Sequence, residues 1–134
     1  MPLLSANTLV CETVLWEKTD VPTLVRVMSA LALGPGNNFA HFFVVTFLSC
    51  QPGDSLSHTL RVQITNPNGQ PIAEAQPFPF NYGYKVDPNG PGAFILATEF
   101  NIDVTRTGLP VNGLVSAFLD DQSVTCVPLM LRRA

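Results

Sequence analysis

A chain of 134 residues has room for one domain (residues 1–134) with a sizeable core, so folding requires neither disulfides nor a metal. Only 13 % of the residues are charged, about half the share of an ordinary domain, while 46 % are apolar and mean hydropathy is +0.25. The net charge is −3 and the seven basic residues are scattered, which argues against nucleic-acid binding, where clustered Lys and Arg neutralise phosphates.

In chain order, short runs of Val, Leu, Phe, Thr and Ile are punctuated by Pro, Gly, Asn and Asp, the pattern of a sandwich or barrel. The first strand is predicted over Thr8–Trp16, followed by a polar loop to Pro22. The second covers Thr23–Leu33, where β-branched Val25 and Val27 and the Pro-Gly exit favour a strand over a short helix. The third, Phe39–Cys50, is apolar on both faces. Phe39, Phe43, Val45 and Phe47 share one with His41, and Ala40, Phe42, Val44 and Leu48 share the other with Thr46. A half-solvated strand alternates apolar and polar residues, so both faces of this one must be covered.

The fourth strand, Thr59–Thr65, alternates cleanly, with Leu60, Val62 and Ile64 inward. Asn66-Pro-Asn-Gly69 then forms a hairpin, because Pro67 presets φ and Gly69 takes the left-handed conformation at no steric cost. Residues 72–80 return as an irregular edge interrupted by Pro77 and Pro79. Asp87-Pro-Asn-Gly90 repeats the turn chemistry before a strand over Phe94–Thr105. The last two strands, Val111–Leu119 and Val124–Leu131, flank a tight turn at Asp120-Asp-Gln-Ser123. The expected fold is all-β, an antiparallel β-sandwich of about seven to eight strands, immunoglobulin-like or related.

Catalytic candidates are sparse. His41 sits among phenylalanines and reads as a core or interface imidazole; His58 sits in a Ser-rich turn and reads as exposed. No GxSxG pattern accompanies them, and Asp120 and Asp121 read as caps for turn amides, so the chain is expected not to be an enzyme. Cys11, Cys50 and Cys126 are far apart and make no zinc spacing; each reads as a small buried hydrophobe in a reducing compartment, and no metal or other cofactor is expected. The apolar runs are too short for a membrane-spanning helix, and the N-terminus lacks the pattern of a secretory signal, so the chain reads as cytoplasmic.

Two surfaces remain. The first is an apolar sheet face centred on Phe42, Val44 and Leu48, joined by Cys126 and Met130 if the last strand pairs alongside; it would dock a second copy of the chain or another protein. The second is the row Phe78, Phe80, Tyr82 and Tyr84, which could stack on a sugar or receive a peptide, or fold its rings inward.

The order of elements also resembles a family of small bacterial β-sandwich proteins known only as domains of unknown function. The resemblance rests on Ala6-Asn-Thr-Leu-Val-Cys-Glu12, Phe42-Phe-Val-Val-Thr-Phe47 and the Pro52-Gly53 turn. It continues through Leu60-Arg-Val-Gln-Ile-Thr-Asn-Pro-Asn-Gly-Gln-Pro71, Gly113-Leu-Val-Ser-Ala-Phe-Leu-Asp-Asp121 and Val127-Pro-Leu129. It covers nearly the whole chain, although the glycine such proteins carry around the second strand is missing from Leu24–Leu33. It implies an immunoglobulin-like or related sandwich and supplies no catalytic residue.

Overall fold

A computed structural model describes residues 3–16, 22–50, 57–81 and 92–134. The chain is nearly all strand: β1 (Leu3–Trp16), β2 (Pro22–Val27), β3 (Ala30–Leu33), β4 (Phe39–Cys50), β5 (Ser57–Thr65), β6 (Pro71–Glu74), β7 (Phe78–Asn81), β8 (Gly92–Asp103), β9 (Val111–Leu119) and β10 (Gln122–Arg133). One helical turn, α1 (Val104–Thr107), follows β8, with Asp103 capping the Thr105 amide.

Among the described residues the strands form two sheets and no closed barrel. A four-stranded sheet has the order β2-β1-β4-β8; a six-stranded sheet has the order β3-β10-β9-β5-β6, with β7 also on β5. All pairings are antiparallel except β3 with β10, so the fully antiparallel arrangement expected from sequence is corrected to a mixed one.

Among the described residues there are ten strands against the expected seven to eight, because two predicted strands are each broken. Residues 23–33 break after Val27, beyond the left-handed Arg26 (φ 57°), and the chain passes from one sheet into the other. Residues 72–80 break between β6 and β7 in a segment holding Pro77. The Asn66–Gly69 turn forms as expected: Gly69 has φ 83°, and the Asn66 side chain accepts from the amides of Asn68 and Gln70. The Asp87–Gly90 turn lies outside the described residues.

Alternation decides which side chains meet between the layers. From β4 come Ala40, Phe42 and Val44, from β5 Val62 and Ile64, and from β9 and β10 Val115, Leu129 and Leu131, all in one buried cluster. Phe42 stacks on Phe100 of β8 at 5.7 Å between ring centres. A second cluster holds Leu48, Cys50, Leu60, Phe80, Ala117 and Leu119. Between the two on the four-stranded sheet, Thr8 and Thr46 face each other across β1 and β4, both buried. Their hydroxyls have no hydrogen-bond partner among the described residues.

Candidate interaction surface

The register of the four-stranded sheet fixes its outer face. Val27, Cys11, Phe43 and Glu99 lie side by side across β2, β1, β4 and β8; the next rows are Leu9, Val45, Ala97 and then Asn7, Phe47, Ile95. Directly opposed residues on one side of a sheet sit about 5 Å apart, so the apolar members of these rows form a continuous strip, with Glu99 and Asn7 at its ends. Its middle is closed: Cys11 and Val45 are fully buried although they belong to neither core cluster. Its margins are open, with Leu9 39 % and Val27 53 % exposed. Burial pushes the Cys11 thiol above its ordinary pKa, against the opposing effect of the Thr13 backbone hydrogen bond.

Charges stand at the border of the strip. The imidazole of His41 lies 3.4 Å from the Glu99 carboxylate and meets Phe43 edge to face. Arg26 pairs with Glu12 at 3.0 Å, and Glu12 lies by alternation on the other side of β1 from Cys11.

The predicted docking residues are therefore redistributed. Phe42, Val44 and Leu48 are buried between the chain's own layers and are corrected to core residues. The condition placed on Cys126 and Met130 also fails: β10 pairs with β9 and β3 in the six-stranded sheet, not with β4. Both are exposed on that sheet's outer side, well away from the strip. The other face of β4, with the half-buried Phe43 and Phe47, lies outside both core clusters.

The aromatic row divides differently. Phe80 is buried, stacked on Phe94 at 4.1 Å, while Phe78 is half exposed and stacks on the same ring at 6.1 Å. Phe78 and Phe80 are thus joined to the end of the core through Phe94. Tyr82 and Tyr84 lie outside the described residues.

Of the two histidines, His58 departs from the exposed environment expected for it. His41 is half exposed, whereas the His58 side chain is only 7 % exposed and its Nδ1 lies 2.5 Å from an Asp120 carboxylate oxygen. The other Asp120 oxygen accepts from the Thr59 amide at 2.9 Å. Asp120 and Asp121 both have positive φ, the geometry of a two-residue hairpin turn, and this aims Asp120 back at β5. Burial opposes the charged form of Asp120, but the hydrogen bonds from His58 and Thr59, with the charge on His58, together hold its carboxyl below the ordinary pKa.

Ser57, Asn81 and Pro79 complete a shallow cleft there, in which the Ser57 hydroxyl donates to the Asn81 side chain at 2.8 Å. Sequence separation hid this pair, since residues 58 and 120 meet only through the β5–β9 register, which sets Leu60 opposite Leu119.

No protein-family model and no curated protein matches the chain. Among the described residues, no helix is long and apolar enough to cross a membrane, and no group of three or more His, Cys, Asp or Glu gathers as a metal site would.

Proposed function

We propose that the chain is a non-enzymatic assembly module that binds a second copy of itself through the outer face of its four-stranded sheet. One observation carries this reading: the strip from Val27 through Leu9, Phe43 and Phe47 to Ile95 is apolar where a solvated sheet face alternates with polar residues. The low charge content of the whole chain supports it, because so sparse a coat suits a protein that spends part of its surface on a partner. A face of this kind self-associates by burial of apolar area, and about 800 Å² per partner is the usual size of a stable contact. The His58–Asp120 pair fits a structural role as a tether from β5 to the β9–β10 turn.

The finer architecture supports an immunoglobulin-like sandwich. Strands β3, β10, β9, β5 and β6 follow one another across the six-stranded sheet, β3 runs parallel to β10, and the β2–β3 segment crosses between layers. The insertion of β1 between β2 and β4 is the departure from that plan.

The test is sedimentation of wild type and of the double variant Leu9→Lys, Val27→Lys. Both positions are exposed enough to accept a lysine without unfolding. Wild type is expected well above 14.5 kDa and the variant smaller, with an unchanged circular dichroism spectrum. A wild type that stays monomeric at about 100 μM, a concentration far above the Kd of a standard-sized interface, overturns the reading.

A carbohydrate or peptide site at residues 78–84 is the second reading. The half-exposed Phe78 ring favours it. Glycan or peptide arrays with Phe78→Ala test it, and retained binding in the variant removes it.

A further inference from the structure

We infer that β8 is an open pairing edge, and that its occupant is β8 of a second copy, aligned antiparallel about a two-fold axis near Ala97 and Thr98. Among the described residues, β8 hydrogen-bonds to β4 alone, so one side of a twelve-residue strand offers its amides and carbonyls to no neighbour. Such an edge is a template for another strand, and proteins that must avoid pairing blunt it with proline, lysine, a bulge or short length.

The other edges carry these devices. β2 holds Pro22 and the left-handed Arg26; β3, β6 and β7 have four residues each; β6 starts at Pro71 beside a register shift, and β7 contains Pro79. The free stretch of β10 carries Pro128 and an irregularity between Ser123 and Thr125. β1 leaves its N-terminal half unpaired on one side but contacts β10. In contrast, β8 has no proline, no lysine and an unbroken register along β4 from Gly92 to Asp103.

The chemistry of both faces selects the occupant. Ile95 and Ala97 continue the outer apolar strip up to the edge, while Phe94 and Leu96 face the core yet remain half-buried. A strand that fits here must be apolar on both sides, and β8 has that pattern itself. A two-fold axis perpendicular to the sheet keeps outer residues with outer residues. Placed at Ala97 or Thr98, it sets Glu99 opposite Ile95 or Ala97 of the second copy, and no carboxylate opposes another. Placed at Glu99 or at Asn101, it would bring Glu99 against a like charge. The product is one eight-stranded sheet across two chains.

Edge pairing is independent of the face contact proposed above, and the experiment keeps them apart. Single cysteines at Ala93, Ala97, Thr98 and Asn101 are introduced with Cys126→Ser, and copper-phenanthroline cross-linking is read on a non-reducing gel. The same set is repeated in the Leu9→Lys, Val27→Lys background, in which the outer face is disabled. Ala97→Cys or Thr98→Cys is expected to give at least tenfold more disulfide dimer than Ala93→Cys or Asn101→Cys in both backgrounds. Thr98 points to the core side, so face docking alone cannot cross-link it. Uniform or absent cross-linking, or cross-linking lost with the outer face, overturns the edge proposal.

A second readout needs no variant. In wild type, alternate amides within residues 92–103 are expected to exchange hydrogen at least tenfold more slowly at 200 μM than at 2 μM. Equal rates at the two concentrations overturn it.

Discussion

The two outer faces of the molecule differ in their chemistry. On the six-stranded sheet, β5 presents Arg61 and Gln63, and β9 presents Asn112, Leu114, Ser116 and Phe118. Arg61 is engaged there: it pairs with Glu74 at 3.0 Å and lies 4.2 Å above the Phe118 ring. On the four-stranded sheet the corresponding rows hold Leu9, Phe43, Phe47 and Ile95, with charge only at the border. The six-stranded face mixes polar groups with isolated exposed side chains, Leu114 and Met130, whereas the four-stranded face carries its apolar groups in adjoining rows. On the proposed reading, the difference favours association through the face of β4 that carries Phe43.

The sharpest way to break the comparison is to exchange the roles of neighbouring phenylalanines. Phe42→Ala empties a fully buried site stacked on Phe100 and is expected to cost about 3–5 kcal/mol of folding stability, measured by urea denaturation. Phe43→Ser is expected to weaken association at least tenfold, read by sedimentation, at a smaller cost in stability. Equal stability losses with no change in association would erase the distinction between the two faces of β4.

An intermediate effect concerns the turn that joins β9 to β10. Asp120→Asn is expected to lower stability by about 1 kcal/mol near neutral pH, since an exposed half of that side chain discounts the ion pair. The folded carboxyl titrates below its unfolded value. Its contribution is therefore complete above the ordinary carboxylate range and is lost as pH falls through the lower folded value. In thermal melts the variant should lose less stability than wild type on acidification below about pH 4. An identical acid limb in both proteins would rule the tether out.

The smallest effect is expected from Met130→Ser on the six-stranded face: association unchanged and stability within about 0.5 kcal/mol, checked by the same sedimentation and denaturation series. A marked loss of association there would move the contact to the wrong sheet.

Much of the fold was legible because period-two alternation is a local signal. The bounds of β4 and β9 coincide with the expected Phe39–Cys50 and Val111–Leu119, and Asn66–Gly69 turns as its chemistry dictates. What local pattern could not supply was which side of β4 meets the second layer, since both sides carry phenylalanine. That choice depends on the lateral order β2-β1-β4-β8, set by long-range pairing. The change of sheet after Arg26 and the meeting of His58 with Asp120 escaped for the same reason. The exposed position of Cys126 follows from its place on the solvent side of β10, which a cysteine's preference for burial does not reveal.

The passage from β2 to β3 has a mechanical consequence. Met28 and Ser29 are the whole span between a strand of one layer and a strand of the other, and both are fastened: the Met28 amide donates to Val10 and the Ser29 carbonyl accepts from Met130. A strap of two residues leaves no slack for the layers to part, so loosening either one pulls directly on its mate. The molecule should consequently melt in a single step, with fluorescence of Trp16 and far-ultraviolet dichroism reporting the same midpoint.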